Sequence, residues 1–291
     1  VRYGGILALG CHGAATQTRT LPDLVTEVTI IDANGNLNTF SEAKDPKEFA
    51  AATVNLGLLG IIYTYTIRIE PMFNLLMIDR FPPLSDYFST PEEGGPKLKA
   101  MVLGNDSTEI FYWPFNSAGF EATNDHIWVK QWRRTSDPVC KSAEYGESRK
   151  QTQVYKSLLS AQLFDFMAAN PAIAPYMNWV IFVVKSRNDA DEVMEVPDAI
   201  HYQAGIDNMP CVNLEMAFKV NEDFSNVVVA WNYVIGQMRF VKSSTMLMSN
   251  AYDPDPDAIY CTVEILSANN TPGFKEFSGK MAKFWMDNFQ A

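Results

Sequence analysis

Histidine and cysteine are scarce in this chain: 291 residues contain three histidines and four cysteines. Cys11, Cys140, Cys211 and Cys261 form no CxxC pair, and His12, His126 and His201 are as widely scattered. Zinc sites draw on closely spaced ligands, so this spacing gives no support for a metal site. The even cysteine count permits two disulfides, but a chain of this length buries enough apolar surface to need none. Basic charge is also short, with 23 Lys+Arg against 34 Asp+Glu, a net charge of −11 and a pI near 4.8. That balance argues against nucleic acid or an anionic membrane surface as a partner. No apolar run approaches the roughly 18 residues that a bilayer-crossing helix needs. Missing too are a GxGxxG fingerprint in a βαβ unit, a Walker loop and a Gly-x-Ser-x-Gly elbow.

What is present is an ordinary globular mixture, 47% apolar and 20% charged, which excludes disordered, collagen-like and coiled-coil classes. Alternating β-branched residues predict a strand over Val25–Ile31, and Asn34-Gly35 predicts a hairpin to a partner at 36–40. Asp45 and Pro46 open a helix that runs to Val54. After Gly57 and Gly60, a strand extends from Ile61 to Glu70 and is closed by Pro71. Farther along, strands are expected at 73–81, 109–115, 127–133, 200–205, 212–220, 245–249 and 259–266. Helices are expected at 154–169, from Pro171 to about Val184, at 224–240 and at 274–289. Residues 82–96 read as a Pro/Gly-rich connection with room for a helical turn, and 134–150 as a polar loop. Two sequons, at Asn105 and Asn269, leave an extracellular compartment open.

Two small-residue segments carry the functional signal. The first is Gly10-Cys-His-Gly13-Ala-Ala, and the second is Leu56-Gly57-Leu-Leu-Gly60-Ile-Ile62. Small residues let a bulky ligand approach the backbone, whose N–H groups can meet phosphate or ring oxygens. Each segment alone is more simply read as a turn. Their order, with Leu24-Val-Thr-Glu-Val-Thr and Asn34-Gly35 between them, resembles the vanillyl-alcohol-oxidase superfamily with its PCMH-type FAD-binding domain. Within that superfamily the likeness is to the aldonolactone and alditol oxidases. Ile110-Phe-Tyr-Trp-Pro-Phe, Asn170-Pro-Ala-Ile-Ala-Pro and Thr271-Pro-Gly-Phe-Lys-Glu-Phe resemble the substrate domain of flavin cholesterol oxidases.

The resemblance implies an α+β protein. Residues 1–71 would be the second part of an FAD-binding domain. Residues 72–291 would be a substrate-binding domain, an antiparallel sheet with helices on one side. It implies FAD as cofactor, contacted by Gly10, His12, Gly13, Ala14, Gly60, Ile61 and Ile62. The activity implied is oxidation of an alcohol group on a small-molecule substrate, sterol-like or sugar/lactone, with oxygen as acceptor. The N-terminal half of the FAD domain and a C-terminal active-site segment have no counterpart here, which leaves a second chain as a candidate supplier. The alternatives are a non-catalytic binding or storage protein that keeps this fold, or one fragment of a processed oxidase.

Relatives in this superfamily also carry a Glu-x-Arg pair on a substrate-domain strand. A cation there stabilises negative charge at the flavin, and a carboxylate can accept a substrate proton. The matching strand here, Ser244-Thr-Met-Leu-Met-Ser249, holds neither residue, and Met246 and Met248 read as core packing. Glu215, Glu264 and His201 are in-strand alternatives better read as structural, and Lys130, Arg133 and Arg134 read as solvated. The catalytic residue is therefore unassigned. Phe111, Tyr112, Trp113, Phe115, Trp128 and Trp132 form an aromatic group that suits a core or the wall of an apolar pocket.

Overall fold

The hairpin signal at Asn34-Gly35 is realised through one carboxylate. In the computed structural model Asp32 Oδ1 accepts from the N–H groups of Asn34 and Asn36 at 2.8 and 2.9 Å, and Gly35 adopts φ 82°. This turn joins β1 (Val25–Ile31) to β2 (Leu37–Ser41), and β3 (Ile61–Ile67) pairs with the other edge of β1, all antiparallel, in the order β2-β1-β3. Helix α1 (Tyr3–Ala8) precedes the sheet, and α2 (Pro46–Thr53) lies between β2 and β3. The structure describes residues 3–140, 162–163, 165–186, 191–200, 211–231, 236–269 and 271–290.

One compact unit comprises Val1–Pro71 together with Ala217–Val220 and Arg239–Thr262. Its core is Leu7, Val25, Val28, Ile30, Phe49, Ala52, Val54 and Met246, which is 3% exposed. The strand expected at 245–249 is instead a turn. Ser244 Oγ accepts from Met246 N–H at 3.1 Å, and Asp23 Oδ1 takes both Thr245 N–H and Thr245 Oγ1–H. Side chains that capture backbone donors in this way compete with a strand ladder. The core reading holds for Met246, whereas Met248 is 43% exposed.

In the same unit Lys219 Nζ lies 2.7 Å from Asp253 Oδ2, and Asp255 N–H donates to Asp253 Oδ1. The Lys219 hydrogen bond first, then the Asp255 N–H, hold the Asp253 carboxyl below its ordinary value of 3.8. The pair therefore stabilises the fold at neutral pH and loses that contribution as pH falls below 3.8 through the lowered value. Asp253→Asn should cost at most about 1 kcal/mol at pH 7, because Lys219 is half exposed. The gap in melting temperature between variant and wild type should close on acidification. A gap independent of pH would show that the ion pair contributes nothing.

The other compact unit comprises Met72–Met216, Asn221–Met238 and Val263–Ala291. The strands after β3 are β4 (Asn74–Arg80), β5 (Ser107–Tyr112), β6 (Trp128–Thr135), β7 (Glu192–Glu195), β8 (Cys211–Lys219), β9 (Gly236–Lys242) and β10 (Ile259–Ala268). They form a sheet of order β7-β4-β6-β5-β9-β10-β8, in which β4–β6, β4–β7 and β5–β6 are antiparallel. The helices are α3 (Ser85–Phe88), α4 (Pro91–Leu103), α5 (Ala174–Ser186), α6 (Val196–Ile200), α7 (Ser225–Trp231) and α8 (Phe274–Phe289). On one sheet face Gln131 Nε2 donates to Met101 O of α4, and Tyr112 packs on Trp231 of α7 at 5.3 Å. On the opposite face Trp132 Nε1 donates to Ala199 O of α6.

Two expectations fail here for identifiable reasons. Residues 82–96 are not only a connection: α4 starts at Pro91, with Thr90 Oγ1 accepting Glu93 N–H at 3.3 Å. Thr-Pro-Glu-Glu is a helix-start signal, and Gly94 and Gly95 serve close packing rather than a turn. A Cβ on Gly95 would stand 3.0 Å from Ser225 N. The long helix expected over 224–240 is instead α7, followed by β9. Gly236 at φ 150° is incompatible with a helix, and a Cβ there would overlap the Glu264 carbonyl. The strand expected at 200–205 and most of the loop and helix expected over 134–169 lie outside the described residues, although 165–169 are helical.

Candidate functional site

The first glycine segment begins where α1 ends. Cys11 N–H donates to Ile6 O at 3.0 Å and Gly10 N–H to Leu7 O at 3.1 Å, with Gly10 at φ 69°. These two bonds and the left-handed glycine make a Schellman cap, so the helix end itself requires Gly10. Beyond it, Gly13 is exposed, and a Cβ there would meet no atom within 4 Å. His12 Nδ1 donates to Gly13 O at 2.9 Å, and Ala14 is 5% exposed.

The second segment is shaped by Asn55, which is fully buried. Its Nδ2 donates to Ala52 O and its Oδ1 accepts Gly57 N–H, both at 2.7 Å. Tyr65 OH donates to Thr53 O at 3.0 Å, and burial pushes that phenol up to about 12. Gly60 stands at φ 131°, where a Cβ would overlap the Ile31 carbonyl oxygen and lie 3.0 Å from Ile30 Cγ2. Ile62 packs on the core, whereas Ile61 is 71% exposed.

The two segments lie side by side. Leu56 N–H donates to Ala8 O at 3.0 Å, and a Cβ on Gly10 would stand 3.1 Å from Val54 Cγ1. The helix end and Val54 account for Gly10, and contact with β1 accounts for Gly60. Gly13 answers to no packing demand, and Ile61 on the second segment is likewise exposed. An exposed glycine bend with empty space over its backbone fits the close approach of a flat, phosphate-bearing cofactor such as FAD.

In the second unit the aromatic group is largely internal packing. Trp128 stacks on Phe111 at 4.8 Å and on Phe81 at 6.1 Å, so both of its faces are covered. Lys130, expected to be solvated, places Nζ 5.3 and 4.9 Å from the Trp128 and Trp132 ring centroids. Arg134 lies over the Phe73 ring at 3.7 Å. Glu264 Oε1 accepts from Asn213 Nδ2 at 2.8 Å, consistent with a structural role. His201 lies outside the described residues.

The turn at 244–249 cannot be the strand that carries a Glu-x-Arg pair. Strand β9 carries Gln237 and Arg239 at alternate positions, hence on one side of the strand. Gln237-Met-Arg239 has the spacing of the expected pair, with an amide where that pair has a carboxylate. A residue the sequence reading did not weigh is Glu109, mid-strand in β5 and 6% exposed. Among the described residues no group of His, Cys, Asp and Glu could hold a metal ion, and none of the four cysteines is in a disulfide. No described helix is long and apolar enough to cross a membrane.

No family model matches the chain. D-arabinono-1,4-lactone oxidase of Candida glabrata is 33% identical over 72 residues, 25% of this chain and 14% of that protein. L-gulonolactone oxidase of Bos taurus is 36% identical over 75 residues, 26% of this chain and 17% of that protein. The matching part is thus about a sixth of these relatives' length. Among solved structures, cholesterol oxidase from B. sterolicum superposes with TM-score 0.68 at 16% identity, covering 99% of this chain and 62% of that one. 6-Hydroxy-D-nicotine oxidase from Arthrobacter nicotinovorans gives 0.54 at 11% identity, covering 99% and 59%. Over almost its whole length the chain therefore has the α+β fold of cholesterol oxidase and 6-hydroxy-D-nicotine oxidase, and about a quarter of it is similar in sequence to the lactone oxidases, as the vanillyl-alcohol-oxidase resemblance implies.

Proposed function

We propose that this chain is part of an FAD-dependent oxidase that oxidises an alcohol group of a sterol-like or sugar/lactone substrate, with oxygen as acceptor. In this reading residues 1–71 belong to the flavin-binding domain and residues 72–291 to the substrate domain. The observation that carries it is the pair of adjacent glycine segments, with Gly13 open beside His12 and with Ile61 exposed. Lactone oxidases match the chain in sequence and cholesterol oxidase matches it in fold, which supports the same reading.

His12, Gly13, Ala14 and Ile61 would hold the cofactor through backbone and ring contacts. Gly10, Gly60 and Ile62 would fix the backbone that presents them. When bound, the flavin supplies a two-electron acceptor that oxygen can reoxidise. Arg239 is the residue proposed to place a cation where reduction generates negative charge. Leu9, Leu58, Ile61 and Tyr63 are 62%, 73%, 71% and 64% exposed, and β3 pairs with β1 alone among the described strands. Apolar surface beside an open strand edge suits cover by a further polypeptide.

An absorbance spectrum tests the proposal. The purified protein should show oxidised-flavin bands that bleach anaerobically with L-gulono-1,4-lactone or cholesterol. Gly13→Val should lower flavin content while leaving the melting temperature close to wild type. A colourless folded protein would refute flavin binding by this chain on its own. Gln237 favours one second reading, a binding protein that keeps the cofactor without the chemistry, because an amide cannot accept a proton at neutral pH. Flavin bands that none of these alcohols bleach would select it.

A further inference from the structure

Most described buried threonines of the first unit spend their hydroxyl on the fold. Thr20 Oγ1 donates to Asp23 Oδ2 at 2.6 Å, Thr53 Oγ1 to Phe49 O at 2.9 Å, and Thr29 Oγ1 pairs with Thr39 Oγ1 at 2.9 Å. Thr16 is different. It is 6% exposed, its Oγ1 is closed to water, and no hydrogen-bond partner stands within reach. Thr108 and Thr262 share that property but sit within strands β5 and β10. Thr16 directly continues the first small-residue segment, Gly10 to Ala15. A buried polar atom left unpaired costs stability, so one that a fold retains calls for a partner from outside the chain.

The chain around Thr16 is held in place. Ala15 O accepts Lys242 N–H at 3.0 Å, which pins the backbone one residue earlier. Ala14 and Thr16 are buried and Ala15 between them is half-buried, the alternation of an extended stretch. Gly13, Ala14 and Ala15 have no side-chain donor, so Thr16 carries the first hydroxyl after the exposed Gly13 bend. Three residues of chain span at most roughly 11 Å, well within the length of a dinucleotide cofactor. The hydroxyl is closed to bulk water, so an acceptor reaches it only as the segment shifts. Gly13, with no atom within 4 Å of a would-be Cβ, permits that shift. Gly13, Thr16 and Lys242 all belong to one compact unit, and the contact needs nothing from the other.

We infer that Thr16 is a further cofactor contact, its Oγ1–H donating a hydrogen bond to an acceptor oxygen of FAD on the phosphates or the flavin ring. The inference rests on the flavin reading above and adds a residue to it. Phosphate and ring carbonyl oxygens accept and do not donate, and a threonine hydroxyl supplies the missing donor. Away from water such a bond is electrostatically stronger than at the surface. The segment thereby offers open backbone at Gly13 and one fixed hydroxyl at Thr16. The polar atom that is a cost to the protein by itself becomes satisfied on cofactor binding.

The test titrates FAD into flavin-free protein and follows the change in flavin fluorescence, a readout independent of turnover. Thr16→Val, which has nearly the same shape without the hydroxyl, should weaken FAD binding about tenfold. Its melting temperature without FAD should not fall, because no hydrogen bond inside the protein is lost. Thr16→Ser, which keeps the donor, should bind FAD within about twofold of wild type. A folded valine variant with unchanged affinity would overturn the inference, and so would a serine variant weakened as much as the valine one. Stability lost in both Thr16→Val and Thr16→Ala but kept in Thr16→Ser would mark the hydroxyl as structural and overturn it as well. If only the valine variant fails to fold, alanine against serine decides: alanine should bind FAD about tenfold more weakly, and equal affinity overturns the assignment. A wild-type protein that takes up no FAD removes the flavin reading itself, a different result from variants that bind as wild type does.

Discussion

Gly60→Val is expected to unfold residues 1–71 rather than merely to weaken ligand binding. A glycine before a strand in a flavin-type bend invites the opposite expectation, that a side chain there would crowd the cofactor and lower its retention. The close neighbour of Gly60, however, is the protein's own β1. A Cβ at this position would overlap the Ile31 carbonyl oxygen and press on Ile30 Cγ2 at 3.0 Å, and φ 131° is a conformation that L side chains rarely adopt. Strain at positive φ and overpacking against a strand each cost about 1–3 kcal/mol, so together they are on the order of 3 kcal/mol or more. That is a large part of the stability of a small unit. Denaturant unfolding followed by circular dichroism should show a large drop in midpoint or no folded baseline. Gly13→Val, with nothing within 4 Å of the new Cβ, should leave the midpoint almost unmoved. Equal stability of the two variants would disprove the assignment of Gly60 to the fold.

Asp125→Ala should be about as damaging to the second unit. Asp125 is fully buried, and its carboxylate receives Tyr112 OH at 3.0 Å, Phe115 N–H at 2.8 Å and Ser117 N–H at 3.1 Å. Around it, Asn116 Nδ2 donates to Trp113 O and His126 O, and Asn116 Oδ1 accepts His126 N–H. This network holds residues 113–126 against the end of β5, and its anionic charge keeps the Tyr112 phenol protonated well above its ordinary value, with burial the larger cause. Deleting the carboxylate leaves two buried donors and one part-buried donor without an acceptor, a loss of roughly 3–5 kcal/mol. Asp125→Asn, which keeps one oxygen in place, should lose less. Thermal unfolding of both variants checks the ranking, and an alanine variant as stable as wild type would show that water replaces the carboxylate without cost.

The first unit was the most legible from sequence because its signals are local. Val25–Ile31 forms a strand, Asn34-Gly35 marks a hairpin, Pro46 starts a helix, and the strand β3 follows Gly60, all as read. The terminal helix α8 was equally plain, since Phe274–Phe289 keeps one apolar stripe throughout. The middle of the second unit resisted for the same physical reason. At 224–240 a helical period and a β-branched run overlap, and pairing with β10 through Gly236, not propensity, decides in favour of a strand after α7. At 91–96 the glycines and prolines suggest a connection, whereas Gly94 and Gly95 serve the close contact of α4 with α7 and the residues just before it.

The candidate site divides along the same line. Chain order alone marked Gly10, His12, Gly13, Gly60 and Ile61 as belonging together, since small residues at those intervals constrain backbone conformation wherever they occur. Which of them is committed to the fold depends on neighbours distant in sequence: Val54 beside Gly10, Ile31 against Gly60, open space over Gly13. Local sequence determined where the backbone bends. Tertiary contacts decided which bends remain open, because burial and close approach are properties of side chains brought together from far along the chain.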